Sequence, residues 1–423
     1  MDDHPLRYRL VNELHTRPFP VLEAPSRAAF LAIKPESNAA SRDRSKDLAH
    51  LIELLDRFGA PHPQPGATHY FGEIGKHKLK WECHTEFVTY TLFGNGVAET
   101  PFDAATFNLF PQDWLDNAPG VRMTSALIRI EQEADHTVIA DKIDEWFVAE
   151  SLAASRVLDD SMVIAGDFRL DHAGHMRFAL FADPNTGSRR IGRVVQRICE
   201  IETYKTMSML GLSRVQEIGP QLGQIDGRLT ELIGDMRDEK ASAETTLDEL
   251  LGIASELENL SATSSFRLGA TGAYEAIVNQ RTEILREERF GGCQTFAEFM
   301  MRRYDPAMRT VKSTEARLKT LGDRAWRAGD LLRTRVDVER SAQNQSLLES
   351  MDRRADLQLR LQRTVEGLSV VAISYYAVNL AVYMLGPVGT EVGVSKLILT
   401  ALVTPIVILL VWILIQRIRK DSD

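Results

Sequence analysis

Two apolar segments near the C-terminal end, Leu368 to Leu385 and Leu397 to Ile415, constrain this chain more than any other feature. An α-helix rises ~1.5 Å per residue and needs ~20 apolar residues to cross ~30 Å of hydrocarbon. Both segments approach that length and read as transmembrane helices, spanning 365–385 and 397–416. The connection 386–396 carries Gly386, Pro387, Gly389 and Gly393, which extend neither helix and predict a tight external turn. Arg353, Arg354, Arg360 and Arg363 precede the first span, and Arg417, Arg419 and Lys420 follow the second. The loop between them has only Lys396 beside Glu391. Basic residues stay on the cytoplasmic side. The body of the chain and its 417–423 tail are therefore expected in the cytoplasm, with Trp412 as an interfacial anchor and Pro405 as a kink.

Composition places the remainder among folded proteins. With 44% hydrophobic and 26% charged residues, 423 residues suffice for two or three structural units. A formal net charge of −9 argues against nucleic acid as a partner, because displacing counterions from phosphate requires a basic stripe. Only the arginines flanking the spans cluster, and they serve topology. Cys83, Cys199 and Cys293 are scattered without a CxxC pair, which suits a reducing compartment and supplies no disulfide framework or zinc knuckle. Residues 1–20 lack a basic start leading into an apolar run, so insertion is expected to rely on the C-terminal hairpin.

Pro5, Pro18, Pro20 and Pro25 make the start irregular, and Ala28 to Ile33 then reads as a strand. Leu48, Leu51, Ile52, Leu55 and Phe58 recur at helical spacing, with Ser41 as N-cap and Gly59 as stop. Thr68 to Phe93 carries the strongest β signal and reads as a hairpin about Gly75-Lys76-His77. Further strands are expected at Ser125 to Ile130 and at Met162 to Phe168, the latter paired with Met176 to Phe181, while Ile143 to Leu158 reads as helix. Hairpins mixed with helices, without regular βαβ units, predict an α+β N-terminal cytoplasmic domain over 1–186.

Residues 187–364 read as a long α-helical bundle or coiled-coil stalk. Leu222, Ile225, Leu229, Leu232 and Met236 form a heptad seam, prolonged by Leu247, Leu250, Ala254 and Leu257 and resumed by Leu318, Leu321, Ala325, Ala328 and Leu332. Breaks are expected at Gly219-Pro220, across Ser261 to Gly272 and at Gly291-Gly292. Inside the first span, Ser369, Tyr376, Asn379 and Tyr383 make a polar stripe beside an apolar one. Polar groups facing lipid lack partners, so this stripe is expected to meet the second span, another copy of the chain, or a water-lined path. No ionisable Lys, Arg, Asp, Glu or His lies between Leu368 and Leu385 or between Leu397 and Ile415, which argues against a proton relay or voltage sensor.

Glu82, His84 and Glu86 alternate, so an extended strand would project all three from one face, with Lys80 in the same row. Two carboxylates and an imidazole could hold a metal ion or serve acid/base work. The plain alternative is the solvated face of a half-buried strand, opposite Trp81, Cys83 and Phe87. His15 with Arg17 could bind an anion or complete that cluster, or serve local packing; His172 and His175 read as a surface turn. The chain has no GxxxxGK[ST], HExxH, GxSxG or GxGxxG pattern, and no cofactor is expected.

The stretches His4-Pro5-Leu6-Arg7, Asn12 to Pro18, Leu79-Lys80-Trp81-Glu82 with His84 to Phe87, and Val365 to Tyr376 resemble a bacterial domain-of-unknown-function family described as predicted membrane-anchored proteins. The resemblance covers essentially the whole chain and implies a bacterial inner-membrane location, without an activity or catalytic residue to carry over. A looser similarity, in architecture alone, is to CorA-type magnesium channels, whose Gly-Met-Asn signature is replaced here by Tyr383-Met384-Leu385-Gly386-Pro387. Three functions follow as expectations. The first is a non-enzymatic membrane-anchored protein that binds or senses a partner and assembles as a homo-oligomer. The others are a CorA-like channel or transporter, and a membrane-tethered metal-dependent enzyme; no residue pattern names a small-molecule or ion ligand.

Overall fold

The computed structural model describes residues 3–13, 19–236, 243–391, 393 and 395–420. The chain divides into two compact units, one of residues 1–241 with 248–328 and one of residues 242–247 with 329–423.

In the first unit, alternating and continuous apolar runs form β1 (Ser26–Lys34), β2 (His69–Ile74), β3 (His77–Cys83), β4 (Val88–Asn95), β5 (Val121–Gln132), β6 (Ala153–Val157), β7 (Met162–Leu170) and β8 (Met176–Ala182), and the short exposed pair Glu288–Arg289 forms β9. They make one nine-stranded sheet in the order β2-β3-β4-β1-β5-β8-β7-β6-β9. Neighbours are antiparallel except β5 and β8, which run parallel. Among the described residues the α-helices are α1 (Arg7–Glu13), α2 (Arg44–Arg57), α3 (Gln112–Asp116), α4 (His136–Trp146), α5 (Ser188–Asp235), α6 (Ala243–Glu283), α7 (Phe296–Arg303), α8 (Asp305–Glu391) and α9 (Lys396–Lys420).

Strand side chains alternate between faces, and β1 is buried at both parities. Ala28, Phe30 and Ala32 share a core with Ile191, Val194 and Ile198 of α5, Leu268 and Val278 of α6, and Phe296 of α7. Ala29, Leu31 and Ile33 share another with Leu51, Leu54 and Leu55 of α2 and Trp114 of α3. On that second side, Ile139, Ile143 and Trp146 of α4 cover Val163, Ala165, Ala179 and Phe181. The unit is a three-layer sandwich, a mixed α/β body in which helices on both faces exclude water from the sheet.

The Gly75-Lys76 turn, the β7-β8 hairpin and the strand at 125–130 lie where the sequence places them, whereas the single hairpin expected over Thr68 to Phe93 is a three-stranded meander, β2-β3-β4, with a second turn between Cys83 and Val88. Other expectations change too. The second half of Ile143 to Leu158 is β6, because pairing with β7 and β9 supplies ladder bonds that local propensity cannot foresee. The N-cap of α2 is Asp43, whose carboxylate accepts from Ser45 N, and Ser41 belongs to a preceding 3-10 turn. Helix α5 runs through Gly219-Pro220, and α6 through Ser261 to Gly272. The turn at Asp183 to Gly187 leads into helices that cover the same sheet, and β9 returns to its edge, so the compact unit extends well past 186.

Within this unit, Arg228 pairs with Glu256 and Arg214 bonds Ser264, so α5 and α6 are antiparallel. Ser208 meets Tyr304 and Asp226 meets Arg317 and Arg324, so α5 and α8 run in one direction. The heptad residues Leu222, Ile225, Leu229, Leu232, Leu250, Leu257, Leu318, Leu321, Ala325 and Ala328 are buried.

The second unit contains both apolar segments. Among the described residues two helices are long and apolar enough to cross a membrane by length and composition, and only 11% and 6% of their most apolar stretches are buried. Helix α8 continues through Gly386 and Pro387 to Glu391, so the expected turn from Gly386 is shortened; a proline removes one backbone donor and need not end a helix whose adjacent turns keep bonding. Pro405 likewise lies inside α9.

Candidate functional site

The most chemically varied cleft lies where β3 and β4 face α5 at the polar end of the sheet. Lys80, Glu82, Thr89 and Thr91 replace apolar residues on that face, opposite Gln196, Cys199, Glu200 and Thr203 of α5. The cavity is narrow, about 30 Å³, enough for a water or a small ion. Lys80 Nζ donates to Gln196 Oε1 at 2.7 Å and lies 3.2 Å from Glu82 Oε1. Gln196 Nε2 donates to Glu200 Oε1 at 2.8 Å, and Glu200 also pairs with Arg281 of α6. This chain of alternating charge joins the sheet to both long helices. Burial holds the Cys199 thiol far above its ordinary value, so it is an inert wall.

The three residues singled out as a row do not share one strand. Strand β3 ends at Cys83, and His84 and Glu86 lie in the turn before β4. Glu82 turns to Lys80. Glu86 is fully buried and is held by Arg267 and by Tyr274, whose hydroxyl donates to Oε1 at 2.9 Å. That hydroxyl's own ionisation is pushed upward, first by burial and then by the negative charge of Glu86. His84 stacks on Phe87 with centroids 4.4 Å apart, and Tyr204 and Tyr274 close the aromatic cluster around them. The row is thus neither a ligand set nor a solvated face: Lys80, Glu82 and Glu86 are all buried. Among the described residues no group of three or more His, Cys, Asp or Glu is placed to hold a metal ion.

Arg42 fixes this turn. Its buried guanidinium pairs with Asp47 at 2.7 Å and donates to the carbonyls of His84 at 2.8 Å and Phe87 at 3.1 Å, and to Thr85 O. Burial raises the Asp47 carboxyl, an effect that Arg42 opposes. The parts that Arg42, Arg267, Tyr274 and Gln196 play here carry no local signal, since the partners that define them, the 84–87 turn, Glu86 and Lys80, lie far away in sequence. His15 and Arg17 fall outside the described residues. His175 is buried, with Nδ1 2.9 Å from Ser125 Oγ and its ring against Phe107, so it is part of the fold, not a surface turn.

In the second unit, Tyr376 and Tyr383 are 68% and 76% exposed, and Ser369 and Asn379 are exposed too. Ser369 Oγ donates to Val365 O at 2.8 Å and Asn379 Nδ2 to Tyr375 O at 3.0 Å, both along their own helix. The buried positions of α8 here are Ser374 and Val382, a different stripe. Lys396 of α9 lies 6.0 Å from the Tyr383 ring centre.

A family model described as Protein of unknown function (DUF3422) matches residues 2–422. The chain belongs to the DUF3422 family. No curated protein and no solved structure matches it. Membership covers both units, the Arg42-held turn and the two apolar helices alike, and assigns no activity to any of them.

Proposed function

We propose that this DUF3422 chain is a non-enzymatic protein anchored in the bacterial cytoplasmic membrane by α8 and α9, with both termini inside. Its α/β unit binds or senses a partner there, and its long helices assemble copies of the chain. One observation carries this reading: the polar stripe Ser369, Tyr376, Asn379 and Tyr383 is exposed on a helix of membrane-crossing length, and its hydroxyl and amide groups are left to bond along that helix. In hydrocarbon such groups gain most from meeting their counterparts on a neighbouring copy. The basic residues flanking both spans support the orientation.

A CorA-like homo-oligomeric channel is the second reading, favoured by the same stripe, which in a ring of copies would face water. The commitment of Glu82 to Lys80 and of Glu86 to Arg267 withdraws support from a metal-dependent enzyme.

The expected result is that the full chain stays in the membrane pellet after alkaline carbonate washing and forms a discrete oligomer in mild detergent, measured by light scattering. Asn379→Leu is expected to shift that oligomer toward the monomer. A wild-type monomer would end the assembly reading. Ion flux in proteoliposomes that exceeds the empty-vesicle background and is lost in Asn379→Leu would select the channel.

A further inference from the structure

The expectation that arginines cluster only beside the spans does not hold: helix α5 opens with four of them, Arg189, Arg190, Arg193 and Arg197, of which Arg189, Arg193 and Arg197 recur every fourth residue on one face. Two of them are half-buried against the neighbouring structure. Arg193 Nε and Arg197 Nη1 are buried without any hydrogen-bond partner, and among the described residues neither guanidinium forms an ion pair. The charges facing Arg197 are Arg193 and Glu200 on its own helix, Arg281 on α6, and Arg286 just beyond α6. Glu200 is already committed to Arg281, and Arg286 pairs with Asp159 at 2.9 Å. Four arginines against two carboxylates, 4 − 2, leave two positive charges in excess in a chain whose net charge is −9.

Buried guanidinium donors are rarely left without acceptors, and like charges crowded at partial burial repel. Burial and the neighbouring arginines depress the affinity of Arg197 for its own proton, the direction expected for a cation lacking a counter-ion. A planar guanidinium fork matches the oxygens of a tetrahedral oxyanion, and a dianion cancels the excess.

We propose that Arg193 and Arg197, flanked by Arg281 and Arg286, form a binding site for a phosphoryl dianion, either inorganic phosphate or a phosphate monoester group. The site lies entirely in the first unit and does not depend on how the chain meets a membrane. The proposed role is binding, with Glu200 and Asp159 each already paired to an arginine of the cluster.

The test uses the full chain in neutral-lipid nanodiscs, titrated with inorganic phosphate and followed by calorimetry and thermal unfolding. Saturable binding is expected in the wild type, with Arg197→Gln weakening it by about tenfold to a hundredfold, the effect of one charge-assisted hydrogen-bonded contact. Arg327→Gln, at an exposed position away from the cluster, is expected to bind as the wild type does. Without phosphate, Arg197→Gln should unfold at the same or a higher temperature, because it removes an unmatched charge. Competition by water-soluble short-chain phosphatidic acid would assign a lipid headgroup as the source, and its failure to compete would assign free phosphate. Absence of phosphate binding in the wild type, undiminished binding in Arg197→Gln, or a lower unfolding temperature for that variant without phosphate would each overturn the proposal.

Discussion

At the scale of single residues, Glu86 shows how distant partners decide what a side chain does. The alternation of Glu82, His84 and Glu86 marks the right neighbourhood in the sequence, since all three end near the cleft against α5. Their roles were not legible, because Arg267 and Tyr274 approach Glu86 from 181 and 188 residues away. A buried carboxylate stripped of its cation is costly, so Arg267→Ala is expected to destabilise the α/β unit by about 3–5 kcal/mol. Replacing both partners, with Glu86→Gln and Arg267→Met together, should recover much of that loss, since no unpaired buried charge is left. Urea unfolding of the three proteins checks this. A single mutant no worse than the double would show that Glu86 is not held by its arginine. His50 illustrates the same dependence: Nε2–H donates to Trp114 O at 3.0 Å, leaving Nδ1 to accept from the Tyr90 hydroxyl, and burial lowers the pKa of the ring.

At the scale of elements, the strands and hairpins were largely readable, because β-forming residues and turn residues act locally. The failures have one cause in common. Gly219-Pro220, the stretch from Ser261 to Gly272 and the Ala153–Val157 strand each have weak local preferences that packing overrides. Around Pro220, Val215, Ile218, Leu222 and Ile225 are all buried, and this continuous apolar face keeps α5 helical across a residue that lacks an N–H donor. Proline in a helix interior is ~3 kcal/mol less favourable than alanine, and the unfolded chain regains up to ~1 kcal/mol of freedom when proline is lost. Pro220→Ala is therefore expected to stabilise the protein by about 2 kcal/mol, read as a higher urea midpoint at unchanged slope. A destabilised variant would mean that α5 needs a proline-induced bend to pack.

At the scale of the whole molecule, the composition change near residue 187 is real but marks a change of element, not the edge of a folding unit. The sequence turns helical there, yet α5, α6 and α7 bury the open face of the sheet, and β9 extends it. Their apolar faces are spaced to be buried, but nothing local says against what. The three apolar clusters on the two faces of the sheet lie, among the described residues, between Leu22 and Val311, whereas the large apolar residues of the two candidate spans are mostly exposed. A chain ending at Ala328 thus retains these three clusters and loses the apolar helices. It is expected to be soluble without detergent and to unfold in one cooperative urea transition, while the full chain requires detergent or lipid. Ala243 and Thr246 belong with Leu332 and Val336 to the second unit and are buried there, so the first turn of α6 should fray in the shortened chain and exchange its amide hydrogens rapidly. Aggregation of the shortened chain, or a gradual transition without a folded baseline, would show that the α/β unit cannot stand without the residues beyond Ala328.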